Sequence, residues 1–266
     1  MTWFKVFDRV SLQEFARIDT LFVASVISIL ALGMVMVSSA SISISESLHG
    51  HPYFFMGRQA FYLVLGLISG FLLLSLPTSQ LQKWGVLMMG LSLILLILVL
   101  VPGIGKSVNG SRRWINLVVF NLQASEVAKV CMVVYVSGYL VRRADRVREG
   151  WVGFVLPLCL CSVFLLFLLF EPDFGASVVL LGTVMVLLFL GGAPLYQFLL
   201  LMIAAVAMLG VVAISESYRL KRLMNFIDPW ADPFNEGYQL SQALIAYGRG
   251  EWFGLGLGNS VQKLSY

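Results

Sequence analysis

Two aspartates stand in the most charged stretch of the chain, "MNFIDPWADPFNEGYQLSQ". Asp228 and Asp232 each precede a proline, and Arg219, Lys221 and Arg222 come shortly before them. A carboxylate beside cations supplies a base for an acceptor hydroxyl and positive charge for an anionic leaving group. The alternative is structural, because Asp-Pro favours turns and helix starts, where an aspartate is a capping residue. The spacing does not decide which aspartate is the base.

A second cationic group lies in "VPGIGKSVNGSRRWINLVVFNLQASE". Lys106, Arg112 and Arg113 are close in sequence to Trp114. Adjacent guanidinium groups bind phosphate oxygens in a fork, and tryptophan favours the headgroup level of a membrane. A lipid phosphate or pyrophosphate fits this pattern. Simple anchoring of the loop to anionic headgroups fits it equally well.

Four further charged residues lie at the edges of apolar segments. Glu126 and Lys129 are three residues apart, which predicts one helix face and either an ion pair or a contribution of Lys129 to the anion site. Glu171 and Asp173 flank Pro172 in "FEPDFGAS". A carboxylate there must be solvated or paired, so the two are expected to bind a cation, a basic side chain or a sugar hydroxyl. Asp173 is equally well placed to cap the next helix.

The elements that position these residues are predicted to be membrane-spanning helices. Hydrophobic residues make up 59% of the 266 residues and charged residues 12%, against about 25% charged residues in an ordinary soluble domain. Apolar runs of about 20 residues recur, as spanning helices require. The sequence therefore predicts an all-α integral membrane protein, a polytopic bundle with about seven spans, at roughly 18–40, 54–76, 84–101, 125–141, 151–170, 174–191 and 195–214.

Charge patterning predicts the domain organisation and the orientation. Residues 1–17 are expected to form a cytoplasmic N-terminus, residues 18–214 the transmembrane region and residues 215–266 a long loop on the opposite side. Basic residues precede the first span and none follows it before the second, which places the N-terminus inside. The opposite side is nevertheless as rich in basic residues, and a bound anion would account for them. Cys131, Cys159 and Cys161 fall in apolar segments, so neither a disulfide framework nor a metal site is expected.

Three motifs carry a resemblance to a known family. "NGSRRWINL", "EPDFGASVV" and "DPWADPFNEGYQLSQALIAYGRGEWFGLGLGNSVQKLSY" are similar to sequences of the SEDS family (shape, elongation, division and sporulation). The resemblance runs from the first helix to the last residue. It implies a peptidoglycan glycosyltransferase that polymerises lipid II at the outer, periplasmic face of the bacterial cytoplasmic membrane, in synthesis of the division septum.

The resemblance also implies roles for individual residues. Asp232 is expected to be the catalytic residue, and Asp228 to support it. Binding of the pyrophosphate and sugars is expected from five cations: Arg112, Arg113, Lys129, Lys106 and Arg222. Glu171, Asp173 and Glu126 are expected to lie near that cavity in supporting roles.

Partners and alternatives follow from the same resemblance. The expected partners are lipid II, a class B penicillin-binding transpeptidase, other divisome membrane proteins and membrane lipids, and no nucleic acid. No cofactor is evident, and an assisting Mg²⁺ or Mn²⁺ ion is left open. Because family members have about ten helices, this chain is expected to be C-terminally truncated and inactive alone. A lipid II flippase, which would favour matched repeats, and a non-catalytic scaffold for the transpeptidase are the alternatives.

Overall fold

The described part of the chain forms two compact units. The structure, a computed structural model, describes residues 19–108, 111–117, 120–215, 217–235 and 237–256. The predicted cytoplasmic segment 1–17 and the last ten residues of the predicted loop therefore lie outside the described residues. We call Pro77–Ser215 the bundle unit, and the described residues of Met1–Leu76 and Glu216–Tyr266 the loop unit.

Helices make up most of both units. In chain order they are α1 (Thr20–His49), α2 (Phe54–Leu74), α3 (Thr78–Leu100), α4 (Ala124–Arg142), α5 (Ala144–Glu149), α6 (Val152–Phe170), α7 (Phe174–Leu190), α8 (Leu195–Ile214), α9 (Ser217–Ile227) and α10 (Tyr238–Gly250). Within the described residues, six of them are long and apolar enough to cross a membrane: α1, α2, α3, α4, α6 and α8. The seventh predicted span is α7, an apolar helix of 17 residues, which is near the lower limit of about 17 for a spanning helix. The prediction of a polytopic helical membrane protein is confirmed.

The core of the bundle unit lies between α3, α4, α6 and α7. Leu96, Met132, Phe164 and Val184, one from each helix, are completely buried. Other faces of the same helices expose large apolar side chains, as Leu166 does on α6. Helices that are apolar on every face fit a lipid environment, since water would penalise the exposed side chains.

A small antiparallel sheet connects α3 to α4, and the sequence did not predict it. Its strands are β1 (Gly105–Val108), β2 (Ser111–Asn116) and β3 (Asn121–Gln123), in the order β1-β2-β3. Lys106 lies opposite Trp114, and Trp114 lies opposite Gln123. Strands this short give little alternation to recognise in a sequence. Because β3 leads directly into α4, the sheet joins the strand that carries both arginines to the start of that helix.

Two helix boundaries differ from the prediction. α1 continues to His49 instead of ending near residue 40. The serines beyond residue 40 are accommodated within the helix, as Ser47 Oγ donates to Ile44 O at 3.0 Å. α3 begins at Thr78, not near residue 84, after Pro77 with φ −66°. Lys83, just before the predicted span, therefore lies inside α3.

The segment after α8 contains two helices separated by the opening motif. α9 ends at Ile227 and α10 begins at Tyr238. Pro229 and Pro233 lie between them, and each would disrupt a regular helix. Asp228 and Asp232 are thereby placed in a short non-helical connection.

Candidate active site

Arg113 is held against the loop between α6 and α7. Its Nε donates to the carbonyl oxygen of Glu171 at 3.4 Å, and its Nη2 donates to the carbonyl oxygen of Pro172. Its Nη1 lies 3.8 Å from Asp173 Oδ1, and the side chain stays 29% exposed. An anion can therefore reach a guanidinium whose direction is already fixed by the main chain.

The strand separates the two adjacent arginines. Successive residues of a strand point to opposite faces of the sheet, and in β2 Arg112 is exposed whereas Arg113 is half-buried. Arg112 pairs with Ser107 on β1, and Lys106 on the same strand is also exposed. The structure thus distinguishes residues that the sequence could not rank: Arg113 is built into the bundle unit, and Arg112 and Lys106 lie on its surface.

Asp173 caps α7, as its position predicts. Its Oδ1 accepts a hydrogen bond from Ala176 N at 3.2 Å, and its Oδ2 accepts one from Ser125 Oγ at 3.2 Å. Ser125 is in the first turn of α4 and accepts in turn from Gln123 Nε2 at 3.0 Å. The sequence analysis did not single out Ser125, since a serine near a helix start gives no signal of a partner 48 residues away. Through these bonds Asp173 ties the start of α4 to the start of α7.

Glu171 is a completely buried carboxyl group. Its exposed fraction is 0%, and among the described residues neither of its carboxyl oxygens has a hydrogen-bond partner. Burial raises the pKa of Glu171 from 4.5 to about 8, the nearby Asp173 charge adds to the rise, and the Arg113 guanidinium opposes it. The expectation of a basic partner is borne out for Asp173, which lies 3.8 Å from Arg113 Nη1. Glu171 has no such partner among the described residues, and burial disfavours its charged form. Its binding of a sugar hydroxyl or a cation stays a prediction.

Glu126 and Lys129 form the predicted ion pair on α4. Lys129 Nζ lies 2.8 Å from Glu126 Oε1, with the lysine side chain 24% exposed and the glutamate side chain 60% exposed. The pairing is confirmed. The role of Lys129 in anion binding stays a prediction.

Asp228 and Asp232 belong to the loop unit and differ in their surroundings. Asp228 is exposed, and its Oδ1 accepts from Trp230 N at 3.1 Å, which is a turn-forming contact. Asp232 is half-buried, and its Oδ1 accepts from Asn235 Nδ2 at 2.9 Å. The structural role proposed for an aspartate of this motif therefore holds for Asp228. Asp232 has its carboxylate oriented by an amide side chain that the sequence analysis did not identify.

Gly237 closes the connection that carries Asp232. Its N–H donates to Asp232 O at 3.0 Å. A Cβ at this position would lie 2.5 Å from Pro229 O and 2.7 Å from Asp232 O, which no real side chain tolerates. Glycine is thus required by close approach of the backbone. Arg222 lies in α9, and its side chain is outside what the structure describes.

The predicted site residues fall into two groups. The bundle unit brings together Arg113, Glu171 and Asp173, with the Glu126–Lys129 pair on α4. The two aspartates of the opening motif are described on their own, in the loop unit. Within the described ranges, no group of three or more His, Cys, Asp or Glu residues is placed to hold a metal ion.

Known proteins resemble this chain along most of its length. The family model for FtsW, RodA and SpoVE, described as "Cell cycle protein", matches residues 19–266. A "Probable peptidoglycan glycosyltransferase FtsW" of Marinomonas mediterranea is 73% identical over 261 residues, covering 98% of this chain and 64% of that protein. A protein of the same name from Thioalkalivibrio sulfidiphilus is 51% identical over 250 residues, covering 94% of this chain and 62% of that protein. The chain spans less than two thirds of the length of both relatives.

Two solved structures share the fold. A chain of the structure described as "Structural coordination of polymerization and crosslinking by a peptidoglycan synthase complex" is 32% identical, with a TM-score of 0.61 over 83% of this chain and 66% of that chain. The rod shape determining protein RodA of Thermus thermophilus is 27% identical, with a TM-score of 0.50 over 82% of this chain and 72% of that chain.

Proposed function

This chain belongs to the FtsW/RodA/SpoVE family of cell cycle proteins, and on that basis we propose that the protein polymerises lipid II into the glycan strands of peptidoglycan. The two relatives compared above are named as probable peptidoglycan glycosyltransferases. The single structural observation that carries the proposal is Arg113. Its guanidinium is fixed by two main-chain carbonyls yet partly exposed, which suits a preorganised ligand for a pyrophosphate.

Positive charge in the bundle unit supports a lipid pyrophosphate as the ligand. Lys106 and Arg112 are exposed on the sheet next to Arg113, and Lys129 lies on the helix that follows the sheet. Guanidinium groups bind phosphate oxygens bidentately, and partly buried ones are screened less by salt than fully exposed ones. We assign Arg113 to the pyrophosphate and the exposed cations to headgroup or sugar contacts.

Asp232 is proposed as the catalytic base of an inverting glycosyl transfer. It takes the proton from the 4-hydroxyl of the acceptor lipid II's GlcNAc, and the oxygen attacks C1 of the donor's MurNAc. A C1–O4 bond forms as the C1–O bond to pyrophosphate breaks, and the electron pair leaves with undecaprenyl pyrophosphate. Attack opposite to the leaving group gives the β-1,4 linkage. Asp228 is the weaker candidate, because its carboxylate is engaged in its own turn.

The cellular setting is part of the same proposal. We place the N-terminus in the cytoplasm, the 215–266 loop at the periplasmic face of the inner membrane, and the protein at the division septum. The similarity to a chain of a complex for polymerization and crosslinking supports a class B penicillin-binding transpeptidase as partner. Other divisome membrane proteins and lipids complete the set of partners. The reaction is proposed to need no resident cofactor, and loss of activity in EDTA would instead indicate an assisting Mg²⁺ or Mn²⁺ ion.

The test is polymerisation of labelled lipid II by the full-length protein with its transpeptidase partner. Asp232→Asn is expected to abolish glycan synthesis while lipid II still binds, because the amide keeps the shape of the side chain but cannot accept the proton. Asp228→Asn keeps an oxygen for its turn and should lower the rate by less than tenfold.

Three outcomes would contradict the proposal. Polymerisation by the Asp232→Asn protein would remove Asp232 from the role of base. Translocation of lipid II across vesicles without glycan formation would indicate a transporter. Co-purification with the transpeptidase without either activity would indicate a scaffold.

A further inference from the structure

Glu171 is a buried acid to which the proposed reaction gives no task. It is completely buried, and both carboxyl oxygens lack a hydrogen-bond partner among the described residues. Buried polar atoms in folded proteins are nearly always hydrogen-bonded, so an exception calls for an explanation. Asp173, two residues later in the same loop, accepts bonds from Ala176 and Ser125.

The unpartnered carboxyl belongs to the residue that also holds Arg113. The main-chain carbonyl of Glu171 accepts from Arg113 Nε at 3.4 Å, and the guanidinium charge acts on the Glu171 carboxyl. The carboxyl and the guanidinium are therefore neighbours without being paired. A buried carboxylate would gain most by turning toward this guanidinium, since an unpaired buried charge costs several kcal/mol by order of magnitude.

We propose that Glu171 is a positioning residue for Arg113: as a neutral acid it leaves the guanidinium to the pyrophosphate of the lipid substrate, and as a carboxylate it draws the guanidinium away. This inference rests on the proposed function, because it takes Arg113 as the pyrophosphate ligand. Anion binding at this end of the bundle unit is then coupled to one proton on Glu171.

The charged groups around the loop determine the direction of the effect. Arg113 faces the loop from β2, Asp173 lies at the start of α7, and α4 contributes the neutral Ser125. The pKa of Glu171 is raised to about 8, so the carboxyl is mostly neutral at pH 7 and mostly ionised at pH 9. Affinity should therefore fall as the pH rises through 8. If only the neutral form leaves Arg113 available, the available fraction falls about tenfold between pH 7 and pH 9.

The experiment measures binding of lipid II to the full-length protein at pH 7, 8 and 9. The wild type is compared with Glu171→Gln, Arg113→Gln and a control, Glu149→Gln, which changes an exposed glutamate of α5 outside the proposed site. Each variant is compared with wild type at the same pH, which cancels titration of the lipid itself. Wild type and Glu149→Gln should lose roughly tenfold in affinity between pH 7 and pH 9. Glu171→Gln should hold its pH 7 affinity throughout, because the amide cannot ionise.

The outcomes separate this inference from the proposed function. If Arg113→Gln binds lipid II as tightly as wild type, Arg113 is not the pyrophosphate ligand and the proposed site fails. If Arg113→Gln binds weakly and Glu171→Gln keeps the wild-type pH dependence, only the inference on Glu171 fails. Should Glu171→Gln not fold, infrared spectra of the wild type decide: the band of a protonated carboxyl must disappear between pH 7 and pH 9, and its absence at pH 7 overturns the proposal.

Discussion

Replacing Asp173 by alanine is expected to destabilise the full-length protein by about 2–4 kcal/mol. The substitution removes the cap on α7, since Asp173 Oδ1 accepts from Ala176 N at 3.2 Å, and losing such a cap costs about 1 kcal/mol. It also leaves the buried hydroxyl of Ser125, now 3.2 Å from Oδ2, without this acceptor, at a cost of about 1–3 kcal/mol. The Arg113 contact at 3.8 Å adds little, because that side chain is partly exposed.

Thermal unfolding in detergent measures this loss. A change of 1 kcal/mol moves the Tm of a domain of this size by about 2–4 °C, so Asp173→Ala should lower Tm by roughly 5–15 °C. Asp173→Asn is the matched control, since its amide oxygen can still accept from Ala176 N or Ser125 Oγ, and it should lose less than half as much. Equal Tm values for the alanine variant and wild type would refute the argument that Asp173 joins α4 to α7. Equal losses for alanine and asparagine would show that the charge matters and not the hydrogen bonds.

Three further substitutions test other contacts. Gly237→Ala should abolish most polymerisation without unfolding the helices, because its Cβ would lie 2.7 Å from Asp232 O. Gly248→Ala is the control and should retain activity, since no described atom lies within 4 Å of its Cβ. Equal polymerisation rates for the two variants would contradict this prediction. Arg113→Lys should weaken lipid II binding on the order of tenfold, since one ammonium group cannot donate to both carbonyl oxygens and also bind an anion. Arg112→Lys is the control and should bind lipid II nearly as tightly as wild type. Between pH 4.5 and about 8, Glu171 binds more protons in the folded state than in the unfolded state. The Tm of the wild type should therefore fall as the pH rises through that range, relative to the Tm of Glu171→Gln. Parallel curves of Tm against pH for the two proteins would argue against a raised pKa.

The spanning helices could be predicted from the sequence because their signal is additive over many residues. Each predicted span corresponds to a helix, and the errors fall where polar residues obscure the ends. After residue 40 the serine-rich sequence resembles a polar loop, yet the Ser47 hydroxyl donates to a carbonyl oxygen of the helix itself. At Thr78 the helix begins with a polar turn that resembles a connection. Helix boundaries depend on such local bonds, which composition does not reveal.

The sequence predicts which kinds of residues form the site, but it does not predict how they are arranged in space. The sequence indicated an anion site on Arg112 and Arg113, but only the register of β2 shows which of them faces the loop after α6. Asp173 as a cap followed from its position one residue before an apolar helix. The burial of Glu171 did not, since it depends on how α6 and α7 pack around their shared loop. Ser125 was missed for the same reason, because its partner is remote in sequence.

The Glu-Pro-Asp loop explains how a guanidinium can be held firmly and still carry charge for a ligand. A carboxylate paired closely with Arg113 would orient it but would also cancel its charge. Here the orientation comes from the carbonyls of Glu171 and Pro172, which do not titrate. Asp173 directs its two oxygens to Ala176 and Ser125 and stays 3.8 Å from the guanidinium. Glu171 is uncharged below its raised pKa, so neither acid of the loop neutralises Arg113 fully, and positive charge is left where the leaving group of the proposed reaction becomes an anion.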